Sequence, residues 1–263
     1  MMQLADVGSA RLHYRIDGPA DGAPVVFANS LGTDMRLWDP ILPLLPEGLR
    51  ILRFDKRGHG LSSCPPAPCS MGTLISDAET LMDQAGFTDA LFVGLSIGGM
   101  IAQGLAVKRP ELIRAMVLSN TAAKIGNKDM WDERIAATRA QGVEGLADAV
   151  MERWFSRDFL KTPQLELWRN MLAQQSDTGY AGCCAAISGT DFYTPTSGLR
   201  IPTLGIAGTE DKSTPPDLVR ETVDLIPGSQ FHLIRKSGHL PCVDQPKEFA
   251  RALGDFMHAT GHI

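Results

Sequence analysis

Short apolar runs bounded by turn-forming residues recur at Pro24–Ala28, Leu49–Phe54, Ala90–Gly94, Ile113–Ser119, Pro202–Ala207 and Gln230–Ile234. Runs of this length and character predict strands covered on both faces. Between them, apolar positions recur at helical spacing near Met35–Leu45, Thr73–Ala85, Ile97–Arg109, Asp217–Leu225 and Lys247–His258. Strands alternating with helices predict an α/β fold, a mostly parallel sheet with helices on both faces. Leu12–Ile16 alternates polar with apolar instead and predicts an antiparallel edge.

The alternation stops at about residue 120 and resumes near 198. The intervening segment reads as several short amphipathic helices with no convincing strand. The predicted organisation is a core formed by 1–119 and 198–263, with 120–197 as a helical cap. The cap is expected over the C-terminal edge of the sheet, where open α/β sheets bind ligands.

Ala90–Val107, "ALFVGLSIGGMIAQGLAV", is 18 residues without a charge, about the length of a membrane span. It also holds four glycines, Ser96 and Gln103, and its halves differ in character. A buried strand, a sharp turn and a buried helix ending before Pro110 fit it better.

Composition narrows the classes of function. The chain has 263 residues, 44% hydrophobic and 21% charged, and a formal charge of −5. It has no basic stripe for nucleic acid and no polybasic patch for a membrane, so neither partner is expected. "MMQLADVGSARLHYR" lacks the apolar stretch of a signal peptide. The five cysteines are odd in number and show no C-x-x-C spacing, which predicts reduced thiols, no zinc site and a cytoplasmic protein. "CPPAPC", residues 64–69, is expected to be a stiff loop.

The candidate chemistry sits at the turn inside the uncharged run. Ser96 lies in "GLSIGG", with Gly94 and Gly98 two residues to either side. A serine between strand and helix, flanked in this way, is the pattern of a nucleophile elbow. Such a serine needs a base to take its proton, an acid to orient that base, and N–H donors for the oxyanion. "PTLGIAGTEDKSTPP" follows a predicted strand with Glu210 and Asp211, and "FHLIRKSGHLPCVDQP" follows the next with His239. The order Ser, acid, His is the one the elbow requires. The amides of Ile97, at the helix start, and Leu31, in "FANSLGTDMRLW", are the expected oxyanion donors.

With those residues in hand, "GLSIGG", "FDKRGHGLS", "GTEDKSTPP" and "SGHLPCVDQP" resemble the signposts of the α/β-hydrolases along the whole chain. "NSLGTDMRLWDP", "MWDERIAATRA", "ERWFSRDF" and "GYAGCCAAI" are similar to segments of the 3-oxoadipate enol-lactone hydrolases of the β-ketoadipate pathway of aromatic catabolism. Asn29-Ser30 departs from the His-Gly usual in the wider superfamily. The resemblance implies Ser96, His239 and Asp211 as a triad, Asp211 being favoured over Glu210. It also implies an acyl-enzyme, an anionic small-molecule lactone and no cofactor or metal. A carboxylesterase, perhydrolase or C–C hydrolase on the same scaffold stays open, as does a ligand-binding member without catalysis. Oligomeric state is not readable.

An anionic substrate in an apolar cleft needs a cation. In "DMWDERIAATRAQG", Trp131, Arg134, Ile135 and Thr138 share one helical face, which places Arg134 as a clamp beside Trp131. Arg153 beside Trp154 is the rival, and an arginine stem packed on the cap with its head in water is the plain alternative. Trp131 and Trp154 are expected to line the substrate cavity. His59 is read as a structural loop histidine, and Cys183 and Cys184 as packing residues.

Overall fold

The computed structural model describes residues 3–66 and 69–263. Eight strands form one sheet: β1 (Gln3–Asp6), β2 (Arg11–Asp17), β3 (Ala23–Ala28), β4 (Leu49–Phe54), β5 (Ala90–Leu95), β6 (Ile113–Ser119), β7 (Thr203–Gly208) and β8 (Gln230–Ile234). Their order across the sheet is β1-β2-β4-β3-β5-β6-β7-β8. From β4 through β8 every neighbouring pair is parallel, and β1 and β2 join antiparallel. Every residue of β5 and β7 is buried, as expected of strands covered on both faces.

Helices α1 (Met71–Ala85), α2 (Ile97–Lys108), α8 (Pro216–Asp224), α9 (Pro241–Asp244) and α10 (Pro246–Ala259) accompany the sheet. Between β6 and β7 the chain forms α3 (Lys128–Gly145), α4 (Ala147–Trp154), α5 (Leu165–Ala173), α6 (Asp177–Ser188) and α7 (Tyr193–Ser197), with no strand. The uncharged run divides as its composition predicts, into β5 and α2 with Ser96 between them. No helix among the described residues is long and apolar enough to cross a membrane.

Two expectations are corrected. Leu12–Ile16 lies within an antiparallel strand, but it is not the edge, because β1 pairs outside it. With four residues and only Ala5 buried, β1 leaves almost no hydrophobic pattern to read. Met35–Leu45 is not a helix but two short 3₁₀ turns, Met35–Trp38 and Leu42–Leu44. Pro40, Pro43 and Pro46 each lack the N–H that would continue a helix. The proposed stiff loop at 64–69 lies partly outside the described residues, since 67 and 68 are not among them.

Candidate active site

The site begins with a backbone strain. Ser96 has φ 58° and ψ −118°, a conformation side-chain-bearing residues rarely adopt. The chain leaves β5 and enters α2 in a single step here, which requires a close approach of backbones. A Cβ on Gly94 would stand 2.3 Å from the carbonyl oxygen of Gly98, and one on Gly98 would stand 2.1 Å from that of Ala28. Neither site has room for a methyl group, so the two glycines are what allow the turn.

Two other strand ends deliver the partners. The loop after β7 carries Asp211 and the loop after β8 carries His239, and their side chains meet with Nδ1 2.9 Å from Oδ2. Both are buried, at 5% and 2% exposure. Burial would raise the Asp211 carboxyl, but the neighbouring His239, the Asn120 amide and the Thr214 N–H hold it below the usual carboxylate range. Asn120 Nδ2 donates to Asp211 Oδ2 at 2.8 Å, and the Thr214 hydroxyl donates at 2.7 Å. Glu210 faces elsewhere, its Oε2 accepting from the Arg157 N–H at 2.9 Å. The carboxylate facing the histidine is therefore Asp211.

Ser96 and His239 line one cavity, yet no hydrogen bond joins their side chains among the described residues. Such bonds commonly tighten only when substrate is bound. The N–H groups of Leu31 and Ile97 donate to no protein acceptor among the described residues. Unpaired backbone donors in a buried place are rare, and two beside a strained serine form a ready site for a developing negative charge. Ser30 lines the same cavity, and its buried Oγ has no hydrogen-bond partner among the described residues.

The roof comes from the cap helices. Trp131 and Arg134 of α3, Arg153 and Trp154 of α4, and Tyr180 of α6 line the cavity over Ser96. Arg134 Nη1 donates to the Tyr180 hydroxyl at 3.2 Å, and its guanidinium lies 6.0 Å from the Trp131 ring centre. Burial and the nearby Arg134 charge lower the pKa of Arg153. Among the described residues neither arginine is within salt-bridge distance of a carboxylate. Size alone would have pointed elsewhere: a wider cleft of about 590 Å³ lies beside His13, Arg53 and Asp55, but its charged groups are paired with one another.

Residues 23–246 match the alpha/beta hydrolase fold family. A 3-oxoadipate enol-lactonase of Acinetobacter baylyi is 34% identical over 94% of this chain and 92% of its own. The structure of the enol-lactonase from Burkholderia xenovorans superposes with a TM-score of 0.94, at 34% identity over 97% of this chain and 100% of that one. A hydrolase from Pseudomonas aeruginosa gives a TM-score of 0.93 and 36% identity over 97% and 98% of the two chains. The chain belongs to the α/β-hydrolase fold family.

Within this α/β-hydrolase, the sequence-predicted residues come together closely. Ser96, Asp211, His239, Leu31 and Ile97 converge at the C-terminal edge of the sheet, and Arg134, Trp131 and Trp154 close over them. Arg153 reaches the same cavity, so both candidate arginines stand together. His59 is structural in this hydrolase: its Nε2 accepts the Gly32 N–H at 3.0 Å, and burial and Lys56 push its pKa well below the usual range, keeping it neutral. All five cysteines are free; Cys183 and Cys184 are buried in α6, and burial raises both thiol pKa values, that of Cys184 to about 12.

Sequence reasoning missed Asn120, Thr214 and Tyr180. Asn120 carried a usable signal, being a polar residue directly after the strand β6 and next to the elbow strand in the sheet. Its φ of 47° is tolerated by asparagine better than by most residues. Thr214 had a local one, standing three residues after Asp211, to which its N–H and hydroxyl donate; Tyr180 had none, since only the folded chain brings it to Arg134.

Proposed function

We propose that this hydrolase opens 3-oxoadipate enol-lactone to 3-oxoadipate by a serine mechanism, as a step of aromatic-compound catabolism. The observation that carries the reading is the pairing of floor and roof in one cavity. Ser96 with the His239–Asp211 pair lies below, and two arginines without carboxylate partners among the described residues lie above. The enol-lactonases named above are similar along nearly the whole chain.

His239 takes the Ser96 proton as Oγ attacks the lactone carbonyl, and Asp211 holds the ring in the orientation and tautomer this needs. The negative oxygen of the tetrahedral intermediate accepts from the Leu31 and Ile97 amides. Collapse breaks the ring C–O bond and expels an enolate, which the protonated His239 converts to the enol. An enolate is a better leaving group than a plain alkoxide, and the enol then tautomerises to the ketone. Water deprotonated by His239 cleaves the acyl-enzyme, forming the second carboxylate and returning the proton to Ser96. Nothing in this sequence of steps calls on a metal or organic cofactor.

The arginines select the substrate. The lactone carries a free carboxymethyl group, whose carboxylate loses water on entering the cavity and must regain charged hydrogen bonds. Arg134 and Arg153 repel one another across the roof. A carboxylate between them offsets its own desolvation and their repulsion together. Trp131 and Trp154 supply the apolar walls.

The test is loss of the enol-lactone's ultraviolet absorbance on adding enzyme, set beside a panel of neutral esters and Ser96→Ala. Fast turnover of the lactone, lost in the variant, supports the reading. Turnover confined to neutral esters would instead make the protein a carboxylesterase.

A further inference from the structure

Lys56 has no part in the mechanism above, yet it is buried directly beneath the oxyanion loop, at 3% exposure. Its ammonium donates to the backbone oxygen of Ser30 at 2.6 Å and, more weakly, to that of Thr33 at 3.3 Å. No carboxylate accepts from it among the described residues. A buried cation held only by peptide oxygens is expensive, so its position calls for a reason.

The reason lies in the peptide it touches. Ser30 C=O and Leu31 N–H belong to one planar trans unit and point in opposite directions. A cation on the oxygen therefore fixes the direction of the N–H. The Ser30 oxygen also accepts from the Thr33 hydroxyl at 2.9 Å and the Thr33 N–H at 3.3 Å, and the His59 ring receives the next amide, Gly32. The Ser30 carbonyl and the Gly32 N–H, on either side of Leu31, are thus engaged, while the Leu31 N–H meets no protein acceptor among the described residues and Leu31 lines the cavity with Ser96. A positive charge at one end of a peptide also polarises the group and strengthens the N–H at the other end.

We propose that Lys56 is a positioning residue for the oxyanion hole, its ammonium orienting and polarising the Ser30–Leu31 peptide so that the Leu31 N–H meets the developing oxyanion. This rests on the serine-hydrolase reading above and adds to it a charge located outside the cavity. The ammonium has its pKa lowered to about 8, chiefly by burial. The titratable groups facing it are Cys183 of α6, Asp55 in its own segment, Asp34 in the loop after β3, and His59.

The experiment compares wild type, Lys56→Met and Ser96→Ala on p-nitrophenyl acetate, and measures the affinity of wild type and Lys56→Met for a small alkylboronic acid. The boronic acid forms a tetrahedral adduct on serine with one oxygen in the oxyanion hole. Lys56→Met should lower kcat by about 10- to 100-fold, somewhat less than removal of a whole oxyanion donor. KM should stay within about twofold, because the ground-state ester gains little from the hole. Boronate affinity should fall by the same factor as kcat, with no loss of melting temperature. A purely structural lysine would instead lower the melting temperature and leave boronate affinity unchanged in the folded fraction, and that result overturns the proposal. Should the methionine variant fail to fold, Lys56→Leu, likewise without donor or charge, carries the same expectations. The two readings separate cleanly. If Ser96→Ala is inactive and the folded Lys56 variant matches wild type in kcat and boronate affinity, only the Lys56 proposal falls. If Ser96→Ala keeps full turnover, the serine mechanism falls and takes the proposal with it.

Discussion

The floor and the roof of the cavity are built on different physical terms. The floor is made of backbone: a strained serine turn, two glycine contacts too tight for a Cβ, and amides without protein acceptors among the described residues. Its side chains are short and held by many bonds, Asp211 alone accepting from Asn120, Thr214, the Ser213 N–H and His239. The roof is made of long side chains on helices, with the Arg134 guanidinium held, among the described residues, by a single hydrogen bond to Tyr180. The difference teaches a division of labour. Charge development at a reacting carbonyl demands donors that do not move, whereas recognition of a carboxylate demands charge that can close around it.

If that division is right, changes to the floor affect every substrate and changes to the roof affect only anionic ones. The largest effect is expected from Ser96→Ala, at least about three orders of magnitude in kcat on lactone and neutral ester alike, with circular dichroism unchanged. Near-native turnover by the folded variant would remove the elbow from the mechanism. Next comes Gly98→Ala, whose new methyl must displace the Ala28 carbonyl. Forcing atoms into so tight a place is expected to cost about 3 kcal/mol in urea unfolding. A neutral result would show that the turn relaxes and that its tightness is not what shapes the floor.

On the roof, Arg134→Ala should reduce kcat/KM for the carboxylated lactone by about 2–3 kcal/mol, the size of a charged hydrogen bond. Hydrolysis of a small neutral ester should barely change. Equal losses on both substrates would make Arg134 a support of the cap and erase the distinction between roof and floor.

The smallest effect concerns the charge behind the floor. The pKa of Lys56 is lowered in the fold to about 8 from 10.5. Between those values the unfolded chain binds more protons than the folded one, so stability rises with pH in that window and the penalty is greatest below it. Relative to Lys56→Met, wild type should gain about 2 kcal/mol of unfolding free energy between pH 8 and 10. Denaturant titrations that track in parallel across that range would show that the lysine is not under strain.

The floor was legible in the sequence for the same reason that it is rigid. Backbone constraints leave marks on residue type: glycines at Gly94 and Gly98, and an acid and a histidine placed after successive strands at Asp211 and His239. The roof left fainter marks. Helical spacing put Arg134 on the face of Trp131 and Thr138, and that face is indeed the more buried one. Helical spacing within α3 could not show that Arg153, on the separate helix α4, shares the cavity, or that Tyr180 on α6 receives Arg134. Lys56 was silent, since a charged residue in a loop ordinarily reads as solvated. Its meaning depends on the Ser30 carbonyl, 26 residues earlier in the chain. The 3₁₀ turns at Met35–Leu44 show the reverse failure: apolar spacing suggested a helix, but the prolines had the deciding vote.

The most direct test of the whole account is the wild-type enzyme's choice between the carboxylated enol-lactone and its methyl ester, which share the reacting ring and differ in one charge. With floor and roof acting as described, kcat/KM for the free acid should exceed that for the methyl ester by about 30- to 150-fold, the equivalent of about 2–3 kcal/mol. Equal rates on the two, or preference for the methyl ester, would mean that the arginines above Ser96 do not recognise a carboxylate, and the account would be wrong at its centre.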